Sequence, residues 1–181
     1  MKLRWSHAVM YVCDADEMIG FYRDMLGFEV SDHGPVMLGD QDLGVEVTFL
    51  SQVATDHHQL AFVPVRGDGA SNTYDHMAFR VDSLAEVKEL AARLQDDGRA
   101  TGVNAMNHGN AWSVYFKDPD GNGVEVFCDS PFHVQQPQAR PWDFAMSEDE
   151  LRRVTEEQFG GEPEFKPADE FYAERRRHFG D

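Results

Sequence analysis

Three residues far apart in this 181-residue chain have the chemistry to hold one divalent metal: His7, His76 and Glu125. Each histidine opens a run of β-branched and aromatic residues, HAVMYV at 7–12 and HMAFRV at 76–81, and the glutamate sits between valines in GVEVFC at 123–128. Period-two alternation turns Glu125 to the face opposite Val124 and Val126. A carboxylate on the concave side of a sheet is costly unless it is paired or metal-bound. Two imidazoles and one carboxylate leave coordination positions open on one face of a metal, room enough for a substrate and O2 together, and the set suits non-haem Fe(II). Mn(II) accepts the same ligands. Taken singly, each residue reads better as a half-buried histidine or a solvated sheet carboxylate; their equivalent or complementary places in a duplicated fold make them a set.

The elements that would have to bring them together repeat. A strand at 6–14 leads into a helix at 15–26, where Ile19, Tyr22, Met25 and Leu26 fall at helical spacing and Gly27 stops the helix. Short strands at 28–31, 36–38, 45–50 and 58–63 follow. After a polar loop at 66–73 the pattern restarts, with a strand at 74–82 and a helix at 83–97. Ser83 is its cap, Leu84, Val87, Leu90, Ala91 and Leu94 its apolar face, and Gly98 its stop. Strands at 102–105, 111–117 and 123–128 complete the second set, the last two joined by the turn DPDGN at 118–122. The chain thus reads as an internally duplicated α+β protein of two βαβββ modules, about 5–65 and 73–129, within a domain at 1–136. Placed about a pseudo-twofold axis, the modules would set their first strands side by side and curl both sheets into one open metal-binding cup. Residues 137–181 form a helical C-terminal extension with helices at 147–159 and 167–179. The first of these starts on a Ser147/Glu150 capping box. The extension is expected to pack on the cup or on a second subunit.

Composition narrows the partners. The 33 acidic against 16 basic residues give a formal net charge of −17, which repels nucleic acid and disfavours a strongly anionic substrate unless a local cation offsets the field. A neutral phenol or diol meets no such barrier. The two cysteines, Cys13 and Cys128, are too few for a disulfide framework and read as buried core thiols in a reducing compartment. No run approaches a membrane span and the first residues turn polar early, so the expectation is a cytoplasmic protein with no membrane partner.

Over residues 6–136 the sequence resembles the vicinal oxygen chelate superfamily and, within it, the type I extradiol dioxygenases. The resemblance rests on His7 in the opening strand, on YDHMAF at 74–79 and on DPDGNGVEVF at 118–127. It is carried further by the pair His57-His58, by NHGN at 107–110 and by Tyr115. It implies the double-module fold, a metal held by His7, His76 and Glu125, and O2-dependent cleavage of a small aromatic diol beside its two hydroxyls. It also implies that His58 is an acid–base residue, that Tyr115 hydrogen-bonds the bound catecholate, and that His108 and Asn110 contact the substrate. On residue type alone, His57 and His58 serve equally to cap a strand start, Tyr115 to fill a core, and His108 and Asn110 to shape a turn. Phe127, Phe132, Trp112 and Met10 read as pocket wall or as core. His33, His133 and His178 read as surface or tail residues.

The classical relatives carry an extra, non-catalytic double module; one fits here, so one-domain relatives are the nearer comparison, and a homo-oligomer is expected. Two rivals share the scaffold. A glyoxalase-like isomerase or lyase using Ni(II) or Zn(II) would be expected to place a fourth ligand, commonly a glutamate, on the strand that here reads HQLAF at 58–62, without a carboxylate. A drug-sequestering protein of the bleomycin-resistance type would need no metal set.

Overall fold

Asp14 and Ser83 perform the same act in two places: each follows a strand by three residues and accepts a hydrogen bond from a backbone amide three residues on, Glu17 N and Glu86 N, to start a helix. The computed structural model describes residues 4–67, 69–71 and 73–179; the outermost residues of the expected domains, 1–3 and 180–181, and loop positions 68 and 72 lie outside them. The first set of elements is β1 (Ala8–Tyr11), α1 (Ala15–Leu26), β2 (Glu29–Leu38), β3 (Gln41–Ser51) and β4 (Leu60–Val63). The second is β5 (His76–Arg80), α2 (Leu84–Asp97), β6 (Thr101–Asn107), β7 (Ala111–Lys117) and β8 (Gly123–Asp129). Two sheets result, ordered β1-β4-β3-β2 and, reading from the same end, β5-β8-β7-β6. In each, the first strand pairs in parallel with the last and the others are antiparallel. The duplication read from the two histidine-led segments is therefore one of topology as well.

The chain divides into two compact units, Met1–Thr73 with Asp118–Asn122, and Tyr74–Lys117 with Gly123–Asp181. In the first, α1 buries Met18, Phe21 and Tyr22. The expected stripe through Ile19, Met25 and Leu26 is only half-buried, because the larger Phe21 ring takes the inward position and packs edge-on to Tyr22. Tyr22 also meets Phe28 and Phe62 edge-on and donates its hydroxyl to Asp118 Oδ2 at 3.2 Å. Burial raises the Asp118 carboxyl above its ordinary range, against the donors Asn122 and Tyr22 that hold it down. The turn at 118–122, expected simply to join two strands, is held by the first unit through the 2.7 Å bonds from Cys13 N to Asp120 and from Arg66 to Asn122.

Strand limits differ from the expected ones where a proline and bulges interrupt the alternation. β2 is one ten-residue strand, not two short ones. It is the edge of its sheet, where a proline such as Pro35 is tolerated, and its bulges at Val30/Asp32 and Pro35/Met37 break the period-two alternation of a regular strand. His7 lies one residue ahead of β1, and His58 two ahead of β4, in loop conformation instead of the strands expected. Cys13 is exposed, in the turn into α1, so of the two thiols Cys128 alone is buried.

In the second unit α2 buries Leu84, Val87, Leu90, Ala91 and Leu94, the expected face, and each large side chain so buried contributes roughly 1.5–3 kcal/mol. After β8 comes β9 (Phe132–His133), and the extension then adds β10 (Arg140–Pro141), α3 (Glu148–Phe159), β11 (Lys166–Pro167) and α4 (Ala168–Phe179). The β10 strand joins the second sheet alongside β6, and β9 pairs with β11. The capping box of α3 is formed, and Leu151, Thr155 and Phe159 are buried. Trp112 Nε1 and Asn107 Nδ2 both donate to Thr155 Oγ1, at 3.0 and 2.9 Å. Trp112 and Phe132, candidates for a pocket wall, are thus core residues that dock the extension, Phe132 stacking on Phe165 at 5.1 Å. His133 is buried as well and stacks on Phe171 at 3.5 Å, not the surface residue expected. No helix among the described residues is long and apolar enough to cross a membrane.

Candidate functional site

The second sheet gathers Glu125, His76, Tyr115 and Ser113 on one face, and His108 stands beside them in the loop that follows β6. Glu125 is 7% exposed, paired in register with Ala78 on β5 and Tyr115 on β7. Ser113, two residues before Tyr115 and so on the same face, donates to Glu125 Oε1 at 2.6 Å. Glu125 Oε2 stands 3.2 Å from His76 Nε2. The other ring nitrogen, His76 Nδ1, is 2.6 Å from Asp75 Oδ2; a carboxylate accepts, so Nδ1 carries the proton. That leaves an imidazole lone pair and a carboxylate oxygen pointing at each other, a contact that needs a positive charge between them, a proton or a metal ion. The donor set fits a divalent metal: an orienting carboxylate behind the ring and a hydroxyl behind the ligating carboxylate are the supports that metal ligands use. Gly123, opposite His76 in the register, is required for this approach, since a Cβ there would overlap the Asp75 carbonyl. Among the described residues no three His, Cys, Asp or Glu side chains form a closed metal cluster; what the second unit offers is a pair.

Next to the pair, His108 Nδ1 donates to the Gln138 carbonyl at 2.6 Å, so in the neutral ring Nε2 accepts from the Tyr115 hydroxyl at 3.1 Å. Burial, then the neighbouring Glu125 and Asp75, push the Tyr115 phenol well above its ordinary pKa and keep it protonated. Gly109 makes the loop beyond His108 possible: its φ is +78°, and a side chain there would overlap Val134.

The first unit holds the other histidines. The rings of His7 and His58 lie 4.3 Å apart, His57 Nδ1 is 2.9 Å from His58 Nδ1, and Phe49 walls His58 at 4.7 Å. Burial first, then the adjacent His7 and His57, lower the His58 pKa below the ordinary imidazole value, leaving a neutral ring at neutral pH. By register, Ala61 is to Val9 in this sheet what Glu125 is to Ala78 in the other. The position that carries the carboxylate in the second repeat carries a methyl group in the first.

The profile of the Glyoxalase/Bleomycin resistance protein/Dioxygenase superfamily matches residues 4–126. The chain belongs to this superfamily. Among relatives it is similar to a metapyrocatechase of Pseudomonas sp. (strain CF600), 23% identical over 142 residues that are 77% of this chain and 44% of that one. It is also similar to the biphenyl-2,3-diol 1,2-dioxygenase 3 of Rhodococcus globerulus, 29% identical over 133 residues, 70% of this chain and 64% of that one. The chain thus spans about half the length of the curated relatives it matches. Among solved structures, a glyoxylase/bleomycin resistance protein/dioxygenase domain from Frankia sp. EAN1pec aligns with a TM-score of 0.55 at 19% identity, over 72% of this chain and all of that one, a likeness of fold.

In this superfamily member a cavity of about 280 Å³ opens on the second unit beside the histidine–glutamate pair, lined by His108, Asn110, Tyr115 and Glu125, four of the residues singled out in the sequence. Phe127, a candidate wall residue, lines it too. Asn110 is held there by Gln136, whose amide donates to Asn110 Oδ1 at 3.1 Å and to the His108 carbonyl at 2.7 Å. Sequence reasoning missed Arg80, Asp129, Gln136 and Tyr172 in this lining, and Asp75 and Ser113 behind the pair. Adjacency to His76 and period-two spacing from Tyr115 could have flagged Asp75 and Ser113. Gln136 and Tyr172 come from beyond the repeat, where no counterpart segment exists to compare.

Proposed function

We propose that the protein is an extradiol dioxygenase: a 2-His-1-carboxylate enzyme that uses O2 to open the ring of a catechol-type diol next to its two hydroxyls. The observation that carries this reading is the pairing of Glu125 with His76 in the second repeat while Ala61 occupies the equivalent place in the first. A site built from this repeat has one carboxylate, not the two expected of a glyoxalase-like isomerase, and retains open positions for two guests. His7, the repeat counterpart of His76, is the third ligand in this proposal, and Fe(II) the metal. Names of the dioxygenase relatives support the same reaction class.

Bound there, Fe(II) supplies Lewis acidity that favours the ionised diol and a redox link between diol and O2. The protein's own groups do the rest. His76 and Glu125 are held in place by Asp75 and Ser113, so the ligands need not reorganise. His58, kept neutral by its surroundings, accepts a hydroxyl proton from the diol and returns it later. Tyr115, kept protonated, donates to oxygen as negative charge develops. His108 and Asn110, fixed by Gln138 and Gln136, position the ring, and positioning two reactants together supplies much of the rate.

The test is purification without oxygen, reconstitution with Fe(II), iron quantitation, and an absorbance survey with catechol, dihydroxybiphenyl and the methylglyoxal–glutathione hemithioacetal. The proposal expects about one iron per chain and a coloured ring-opened product from a diol. Turnover of the hemithioacetal with no diol cleaved would overturn it.

A further inference from the structure

The cavity on the second unit has a second end. From Glu125 the face of β8 continues to Phe127 and Asp129, and that of β5 runs from His76 through Ala78 to Arg80, which is paired in register with Phe127. One such step of two residues is roughly 7 Å. At this end the Arg80 guanidinium lies 5.2 Å from the Phe127 ring centroid, and one of its nitrogens is 3.5 Å from Asp129 Oδ1. Tyr172 of α4 lines the same space.

We propose that this end is a subsite for a short carboxylate-bearing substituent on the substrate ring, with Arg80 as its anion-binding group. The subsite rests on the dioxygenase reading for the diol held at Glu125, and its preference for a carboxylate is measured apart from turnover. In a chain of net charge −17, an anionic ligand is repelled unless a cation stands where it binds, and Arg80 stands in the cavity lining. A guanidinium presents five donors in a planar fork matched to a carboxylate. Among the described residues Asp129 engages it through one long contact of 3.5 Å, with both side chains partly exposed, so other donors of the fork face solvent. Phe127, which lines the same cavity, makes a cation–π contact with the guanidinium. The distance along the strand from Glu125 to this end accommodates one ring and one or two further atoms. Asp129 is then a competitor for Arg80, which sets the two residues' effects in opposite directions.

The experiment measures equilibrium binding, without O2, of 3,4-dihydroxyphenylacetate and of its neutral analogue 4-ethylcatechol to Fe(II)-supplied wild-type protein, Arg80→Met and Asp129→Asn. The Met variant retains the aliphatic stem over Phe127. The expected result is at least tenfold tighter binding of the carboxylate by the wild type, at a margin that shrinks with added salt. Arg80→Met erases that preference while leaving 4-ethylcatechol within about twofold, and Asp129→Asn widens it. Absence of the preference in the wild type, or its survival in Arg80→Met, overturns the subsite, and Asp129→Asn reports on it independently should the Met variant fold poorly. Admitting O2 to the same samples separates the two claims. An intact preference without ring cleavage removes the reaction and leaves the subsite; cleavage of both diols without preference does the reverse.

Discussion

Asp75 Oδ2 stands 2.6 Å from His76 Nδ1, and this contact decides which nitrogen of the ring faces Glu125. The Asp75 side chain is 95% exposed, so it contributes little to packing. Asp75→Ala should therefore leave the fold intact while freeing the ring to rotate. We expect iron affinity to fall about 10- to 100-fold, the usual effect of losing an orienting partner, read by competition with a chelator. Unchanged affinity would mean that the ring is held by packing alone.

His76→Ala removes the ring itself. Protein prepared with Fe(II) should then retain no stoichiometric iron after desalting, with far-UV circular dichroism unchanged. Iron retained at one per chain would place the metal elsewhere.

Ser113→Ala strips the hydroxyl that donates to Glu125 Oε1 at 2.6 Å, at a carboxylate with little access to water. Leaving a buried acceptor unpaired costs about 1–3 kcal/mol. Urea unfolding of the metal-free protein should show a loss in that range, partly restored by Ser113→Thr. A variant as stable as wild type would show that water replaces the hydroxyl.

His58→Phe keeps a flat ring against Phe49 and His7 but has no proton to exchange. Iron content should match wild type while turnover falls by roughly 10²-fold or more, the range for general acid–base catalysis. Full activity would remove His58 from the mechanism.

The two thiols should separate cleanly. Burial pushes the Cys128 pKa up to about 11, whereas Cys13 is exposed. At pH 8 the Cys128 thiolate is then about one part in a thousand, and reaction needs the thiolate. A disulfide reagent should modify one thiol per native chain at pH 8 and two after denaturation. Two fast-reacting thiols in the native protein would contradict the packing of β8.

Much of this was legible because a repeat doubles each signal. Neither HAVMYV nor HMAFRV fixes a strand alone, yet together they set the start of both modules, and Glu125 between two valines announced a carboxylate turned away from the core. The apolar face of α2 could be read because Leu84, Val87, Leu90, Ala91 and Leu94 keep helical spacing without a competing stripe. In α1 two stripes share Tyr22, and packing of the Phe21 ring, which spacing does not encode, chose between them. Pro35 hid a long edge strand because edge tolerance is a property of the sheet, not of the residue. The second end of the cavity escaped because Arg80, Asp129 and Tyr172 come from two strands and a helix with no shared motif, and only tertiary structure makes them neighbours.

The contacts of Gln136 and Gln138 have a corollary. The metal-facing pair belongs to the duplicated sheet, but the loop that bears His108 and Asn110 is steadied by residues outside it. On the proposed function, substitutions at Gln136 and Gln138 would retune which molecules are accepted while the repeated framework and its ligands stay untouched. On that proposal, reactivity and selectivity would thus reside on separate stretches of one polypeptide.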